Sequence, residues 1–155
     1  DHLQPGSKTP LRFKVLLELC RRFHEEPMNL GVQFSSSRDI YHHFQTRLGN
    51  LKQERFIIVI LDNKHRFLSE TTVTVGLLNR SLVHPREVFA EAIEQRAAAI
   101  ICIHNHPSGD SSPSEEDKRI TRRLQESGEL LGIPLLDHVI ISKEDFTSFA
   151  DEGWL

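Results

Sequence analysis

The sequence predicts an α/β domain in which helices alternate with strands around one sheet, and two observations carry that prediction. Apolar or alternating runs of strand length occur at Phe56 to Leu61, Phe67 to Val75, Ala97 to Ile103 and Leu135 to Ser142, while the stretches between them repeat apolar residues at helical spacing. The order strand, helix, strand around residues 67–103 is that of a right-handed crossover if the flanking strands are parallel. With 155 residues, 38% of them hydrophobic and 26% charged, the chain can bury a core without disulfides. One domain over residues 31–155 is expected, preceded by a short N-terminal helical extension over residues 1–30.

Each element has a local cause. Residues 1–8 are polar and contain Pro5-Gly6-Ser7, so they are expected to be loose. Thr9-Pro10 offers a cap and a first helical residue, and Leu11, Val15, Leu16, Leu19, Cys20 and Phe23 recur at helical spacing until Pro27. Ser35-Ser36-Ser37 opens the next helix, with Ile40, Phe44, Leu48 and Leu51 on one face and Gly49-Asn50 marking fraying near its end. His42 and His43 are helical neighbours whose side chains diverge, which predicts a surface role rather than a paired one. Asp62-Asn63-Lys64-His65 turns the run at 56–61 into the alternating run at 67–75, giving a hairpin. Leu77 to Val83 leads to a helix from Pro85 to about Arg96, with Val88, Phe89, Ala92 and Ile93 as its buried stripe.

The next stretch, IICIHNHPSGDSSPSEEDKRITRRL from Ile100 to Leu124, reads as a divalent metal site. An apolar strand ends in His104-Asn105-His106, and alternation along a strand sends both imidazoles to the same side. Pro107, Ser108 and Gly109 turn the chain, and a helix starts near Pro113-Ser114-Glu115-Glu116-Asp117. Ser114 with Asp117 makes a capping box; Ser112 with Pro113 and Glu115 fits nearly as well. Hydrolytic zinc sites take three protein ligands and leave a position for water, whose pKa falls to about 7. Asp117, in the first turn where the helix dipole favours a carboxylate, is the natural third ligand beside His104 and His106.

This segment resembles the metal motif of the JAMM metalloproteases, and HNHPSGDSSPSEEDKRITRRL looks like their RadC branch more than their deubiquitinase branch. The resemblance runs from about Val32 to Trp154 and includes VHPREVFAEAI and LLGIPLLDHVIIS. It implies a JAMM/MPN-like, cytidine-deaminase-like fold with a mixed sheet flanked by helices. It also implies a zinc ion held by His104, His106 and Asp117, with Ser114 beside the activated water and an upstream glutamate as general base. Glu54, Glu70 and Glu87 compete for that role by order and spacing; in JAMM proteins the catalytic glutamate resembles Glu54 in position, just ahead of the first core strand. The implied activity is hydrolysis of a peptide or isopeptide bond, with a peptide or protein as substrate. In RadC-like proteins the region upstream resembles a DNA-contacting helix-hairpin-helix module, and the helix near residues 9–23 looks like its last remnant.

Beyond the motif, the helix from Ser114 to about Leu131 should carry Ile120, Leu124 and Leu131 inward, with Lys118, Arg119, Arg122 and Arg123 clustered on another face. Gly132-Ile133-Pro134 ends it, and Leu135 to Ser142 is a strand containing Asp137-His138, read as a mutually satisfied contact or as a support for the ligands. Phe146 to Leu155 should pack one edge, anchored by Trp154. The net charge of −3 argues against an electrostatic commitment to nucleic acid or an acidic membrane surface. Two cysteines without a CxxC pair, no run of eighteen apolar residues and no signal-like start lead to the expectation of a cytoplasmic protein with no membrane contact. A zinc deaminase would need His-x-Glu and Pro-Cys-x-x-Cys, and neither occurs; a His-Asn-His nuclease disperses those residues over a ββα unit. The alternative from another class is a DNA-repair-associated binding protein with a structural or vestigial metal site, its contacts made by Arg119, Arg122 and Arg123.

Overall fold

The computed structural model describes residues 30–76 and 83–155, together with Val15. Apart from Val15, the helix expected near residues 9–23, Cys20 with it, and most of the connection from Leu77 to Val83 lie outside the described residues. Among the described residues, five strands form one sheet: β1 (Arg55–Leu61), β2 (Phe67–Val75), β3 (Ala99–Asn105), β4 (Leu135–Ile141) and β5 (Phe146–Ser148), in the spatial order β2-β1-β3-β4-β5. The sheet is mixed: β3 pairs parallel with β4, and every other neighbouring pair is antiparallel. Three helices, α1 (Ser37–Leu48), α2 (Pro85–Glu94) and α3 (Glu115–Leu131), cover its two faces.

The continuous apolar runs of β1 and β3 follow from their central position, where both faces are buried and every residue needs an apolar partner. Phe56, Ile58, Ile60, Ile100 and Cys102 point to one face and pack against Val88, Phe89 and Ala92 of α2 and Ile120 and Leu124 of α3. Ile57, Val59, Leu61, Ile101 and Ile103 point to the other and meet Ile40, Phe44 and Leu48 of α1. This three-layer arrangement sets the site, because whatever continues the Ile100-Cys102 row beyond the strand end must face the start of α3. The β3-α3-β4 unit joins adjacent parallel strands, whereas β2 and β3, which flank α2, run the same way with β1 between them. No helix among the described residues is long and apolar enough to cross a membrane.

Several expectations about packing change at element ends. Ile93 is 53% exposed and α2 ends at Glu94, so its buried stripe is Val88, Phe89 and Ala92. Leu131 is 46% exposed because it lies in the last turn of α3, where Gly132 takes a left-handed cap (φ 72°) and the chain reverses into β4. Gly128 holds the inward position one turn earlier. A Cβ there would meet the Ile133 carbonyl oxygen at 2.5 Å, so only glycine lets the backbones approach. Helix α1 stops at Leu48, and Leu51 reaches the core from the turn beyond. The C-terminal anchor is Phe149, which is buried; Trp154 is 47% exposed and stands edge-on to it.

Candidate metal centre

The histidine row is made by β3. His104 follows Ile100 and Cys102 on the α3 side of the sheet and is 1% exposed, and its ring meets that of His106 at 4.7 Å. Beyond the strand, His106 N–H donates to the Ile141 carbonyl (2.8 Å), and Gly109, at φ 89°, lets the loop double back. The returning loop brings the Asp110 carbonyl to 2.8 Å from His106 Nδ1, which therefore carries a proton and directs Nε2 towards Asp117 Oδ2, 3.5 Å away.

Helix α3 supplies the third group. Ser114 is its N-cap: the hydroxyl accepts from Asp117 N–H (3.1 Å) and the Asp117 carboxylate accepts from Ser114 N–H (2.7 Å), a complete capping box. This resolves the choice of cap in favour of Ser114, since Ser112 N–H is used by the Asp110 carboxylate (2.8 Å). The Ser114 hydroxyl also donates to Asp117 Oδ2 at 2.6 Å. Asp117 is thereby buried, 1% exposed, against the two imidazoles. Burial works against its ionisation, but the imidazoles and the Ser114 hydroxyl outweigh it and hold the carboxyl well below the usual carboxylate range. For His106, burial lowers the pKa, but Asp117, the Asp110 carbonyl and the Glu54 charge carry it upward on balance.

One ligand atom from each of His104, His106 and Asp117 lies within 4.8 Å of the others, and the three could hold a metal ion. Their unmet bonding favours one. His104 Nδ1 and Nε2 and Asp117 Oδ1 are buried without a hydrogen-bond partner, although His104 Nδ1 comes within 3.1 Å of Asp117 Oδ1. Orphaned polar atoms of this kind cost free energy unless something binds them, and two imidazoles with a carboxylate are a donor set that divalent metals accept.

The three glutamates separate cleanly. Glu54 precedes β1 on the side of Phe56, and its Oε2 lies 3.8 Å from His104 Nε2. Glu70 is ion-paired with Arg47 of α1, at 2.7 Å on the opposite layer. Glu87 sits in the first turn of α2, exposed and paired with Arg86 (2.8 Å). Only Glu54 is brought to the histidines.

Two supports lie beside the cluster; the sequence reading gave no role to Asn105 or Thr121, and offered His138 as a support for the ligands only as one of two alternatives. Asn105, between the two histidines, is 1% exposed and spends its side chain on backbone groups either side of Glu54. The second is a chain beneath Asp117. The Thr121 hydroxyl donates to the Asp117 carbonyl (2.6 Å), and His138 Nδ1, 2.6 Å away, must then carry the proton and donate to Thr121 Oγ. Burial pushes the His138 pKa down to about 3, with the charge of His104 acting in the same direction, so the ring stays neutral. The Asp137 carboxylate and the His138 ring are therefore not partners of one another. As strand neighbours they face opposite layers, and Asp137 instead accepts from the Ser148 hydroxyl (2.7 Å) and Ala150 N–H (3.0 Å). The basic face of α3 also divides: Lys118 pairs with Glu115 (2.8 Å) and Arg119 with Glu116 (3.3 Å), leaving Arg122 and Arg123 without an acidic partner among the described residues.

Comparison with known proteins agrees with this architecture. The family described as RadC-like JAB domain matches residues 34–154. A UPF0758 protein of Syntrophotalea carbinolica is 46% identical over 150 residues, covering 97% of this chain and 66% of its own length. One from Geotalea uraniireducens is 45% identical over 142 residues, covering 92% of this chain and 62% of its own, and one from Methanosarcina mazei is 43% identical over 153 residues, covering 97% and 66%. The chain thus spans about two thirds of the length of these relatives. The five-stranded sheet, its three helices and the His104-His106-Asp117 cluster all fall inside the matched span, and the chain belongs to the RadC-like JAB domain family.

Proposed function

We propose that this domain is a zinc-dependent hydrolase of peptide or isopeptide bonds. The observation that carries the proposal is the Glu54 carboxylate, 3.8 Å from His104 at the edge of a three-ligand cluster. Zinc held by His104, His106 and Asp117 would supply Lewis acidity, polarising the scissile carbonyl and making water acidic enough to ionise near neutral pH. Glu54 takes the proton of the attacking water on Oε2 and returns it to the leaving amine, which needs the carboxylate within reach of the reacting atoms rather than on them. Ser114 turns its hydroxyl from Asp117 to the developing oxyanion, a contact of roughly 3 kcal/mol in well-characterised hydrolases. Asp117 then retains the Ser114 N–H on Oδ2.

The test is turnover of peptide and isopeptide-linked substrates by zinc-loaded protein, with Glu54→Gln beside wild type. The variant should bind zinc as wild type does and lose at least about a hundredfold in rate, the lower end of what general acid-base catalysis contributes. A Glu54→Gln protein that cleaves at the wild-type rate would remove Glu54 from the mechanism. The nucleic-acid alternative draws less support, because Lys118 and Arg119 are already paired within α3.

A further inference from the structure

We infer that Asn105 is the positioning residue for Glu54: its side-chain amide takes the place of a strand and fixes the backbone from which the carboxylate projects. This rests on Glu54 being the base. The backbone ladder between β1 and β3 ends at Phe56 opposite His104. One residue further on, β3 is committed to β4, with Asn105 opposite Ile141 and His106 N–H bonded to the Ile141 carbonyl. The peptide groups that flank Glu54 on that side, the Gln53 carbonyl and the Arg55 N–H, would be left without a ladder partner. Asn105 meets both: its Oδ1 accepts from Arg55 N–H at 2.7 Å and its Nδ2 donates to the Gln53 carbonyl at 3.1 Å.

The other edge of the same residue is held by the residue that follows β2, since Gly76 N–H donates to the Glu54 carbonyl at 2.8 Å. Glu54 is thus gripped from both sides, and its main chain continues β1 although β3 has turned away. A carboxamide is the one side-chain group that presents an acceptor and a donor in the plane and spacing of a peptide bond. Aspartate would keep the first bond and lose the second. A residue in this position also couples two parts of the centre, because the strand that points His104 and His106 at the metal then sets where the base sits. Catalytic groups displaced by about 1 Å lose on the order of a hundredfold in rate, so such a clamp has a function that packing alone does not.

Site-resolved hydrogen exchange on the metal-free protein, followed by 13C NMR of the cobalt-loaded protein with glutamate carboxyls labelled, tests this. In Asn105→Ala, exchange at Arg55 N–H should rise at least tenfold while Phe56 to Leu61, whose bonds are backbone to backbone, stay protected; in Asn105→Asp, Arg55 should remain protected. On cobalt, the Glu54 carboxyl signal, assigned from its loss in Glu54→Gln, should shift in Asn105→Ala, less in Asn105→Asp, and cobalt affinity should stay within about threefold of wild type. Unchanged Arg55 exchange, loosening of all of β1 together, or a Glu54 signal at the wild-type position overturns the inference. If wild type takes up no cobalt, the metal centre itself fails, and the exchange pattern alone decides whether the clamp exists.

Discussion

The residues that matter most at this centre are buried polar groups whose bonds are accounted for one by one. Thr121 illustrates the cost of losing one: its hydroxyl ties the Asp117 carbonyl to His138 of β4, so the first turn of α3 cannot move without breaking it. Thr121→Val should lower zinc affinity about 10- to 100-fold, as loss of ligand support generally does, whereas Thr121→Ser should retain most of it; competition with a chromophoric chelator measures both. His138 also sets a pH dependence. Its folded pKa lies below its unfolded one, so from about pH 6.5 down to about 3 the unfolded chain binds the extra proton and stability falls as pH falls. Asp117 acts on the ring in the opposite direction, but burial together with the charges of His104 and His106 outweighs it, so the sign stands. His138→Phe should flatten the slope of unfolding free energy in that window by up to ~1.4 kcal/mol per pH unit, read from urea titrations of the metal-free protein. His106, whose pKa is raised, acts in the opposite sense: its contribution is present at low pH and lost as pH rises through its folded value. At this scale His104, His106 and Asp117 were legible as a group from strand alternation and cap chemistry. Asn105 and Thr121 were not, because a buried amide or hydroxyl names its need for a partner but not which partner folding supplies.

At the scale of elements, α3 does two jobs with one cap. Ser114 satisfies the helix start and orients Asp117, so Ser114→Ala should cost about 1 kcal/mol of stability and also weaken metal binding. A cap at Ser112 would predict no stability loss from that substitution; thermal melts separate the two. Gly128→Ala, although favourable for an isolated helix, should destabilise by about 1–3 kcal/mol, since the new methyl meets the Ile133 carbonyl and the Phe89 ring, neither free to withdraw. Strand and helix identities were readable in the sequence because β1 and β3 are buried on both faces and run continuously apolar, while α1 to α3 carry 3.6-residue stripes. The stripe alone mispredicts Ile93 and Leu131. Periodicity gives the direction of a side chain but not whether the sheet still lies beneath it in the last turn.

Over the whole molecule, the mixed sheet explains why these groups gather at one end. The antiparallel β1 brings Glu54 to the same edge at which parallel β3 and β4 release their carboxyl ends, and the following helix returns Asp117 to it. The grouping of Glu54 with His104, His106 and Asp117 was therefore a property of topology, out of reach of spacing along the chain and supplied at the sequence level by family resemblance. Because the cluster buries atoms that lack partners, metal binding should be linked to folding. Zinc at a hundred times its dissociation constant should stabilise wild type by about 2.7 kcal/mol and leave Asp117→Ala unchanged. The most direct measurement is metal content by mass spectrometry of wild type, His104→Ala and Asp117→Ala, purified without a metal-affinity tag and offered zinc. About one zinc per chain in wild type and almost none in either variant is the predicted result. Folded wild type that takes up no zinc, or variants that hold it as well as wild type, would contradict the metal centre.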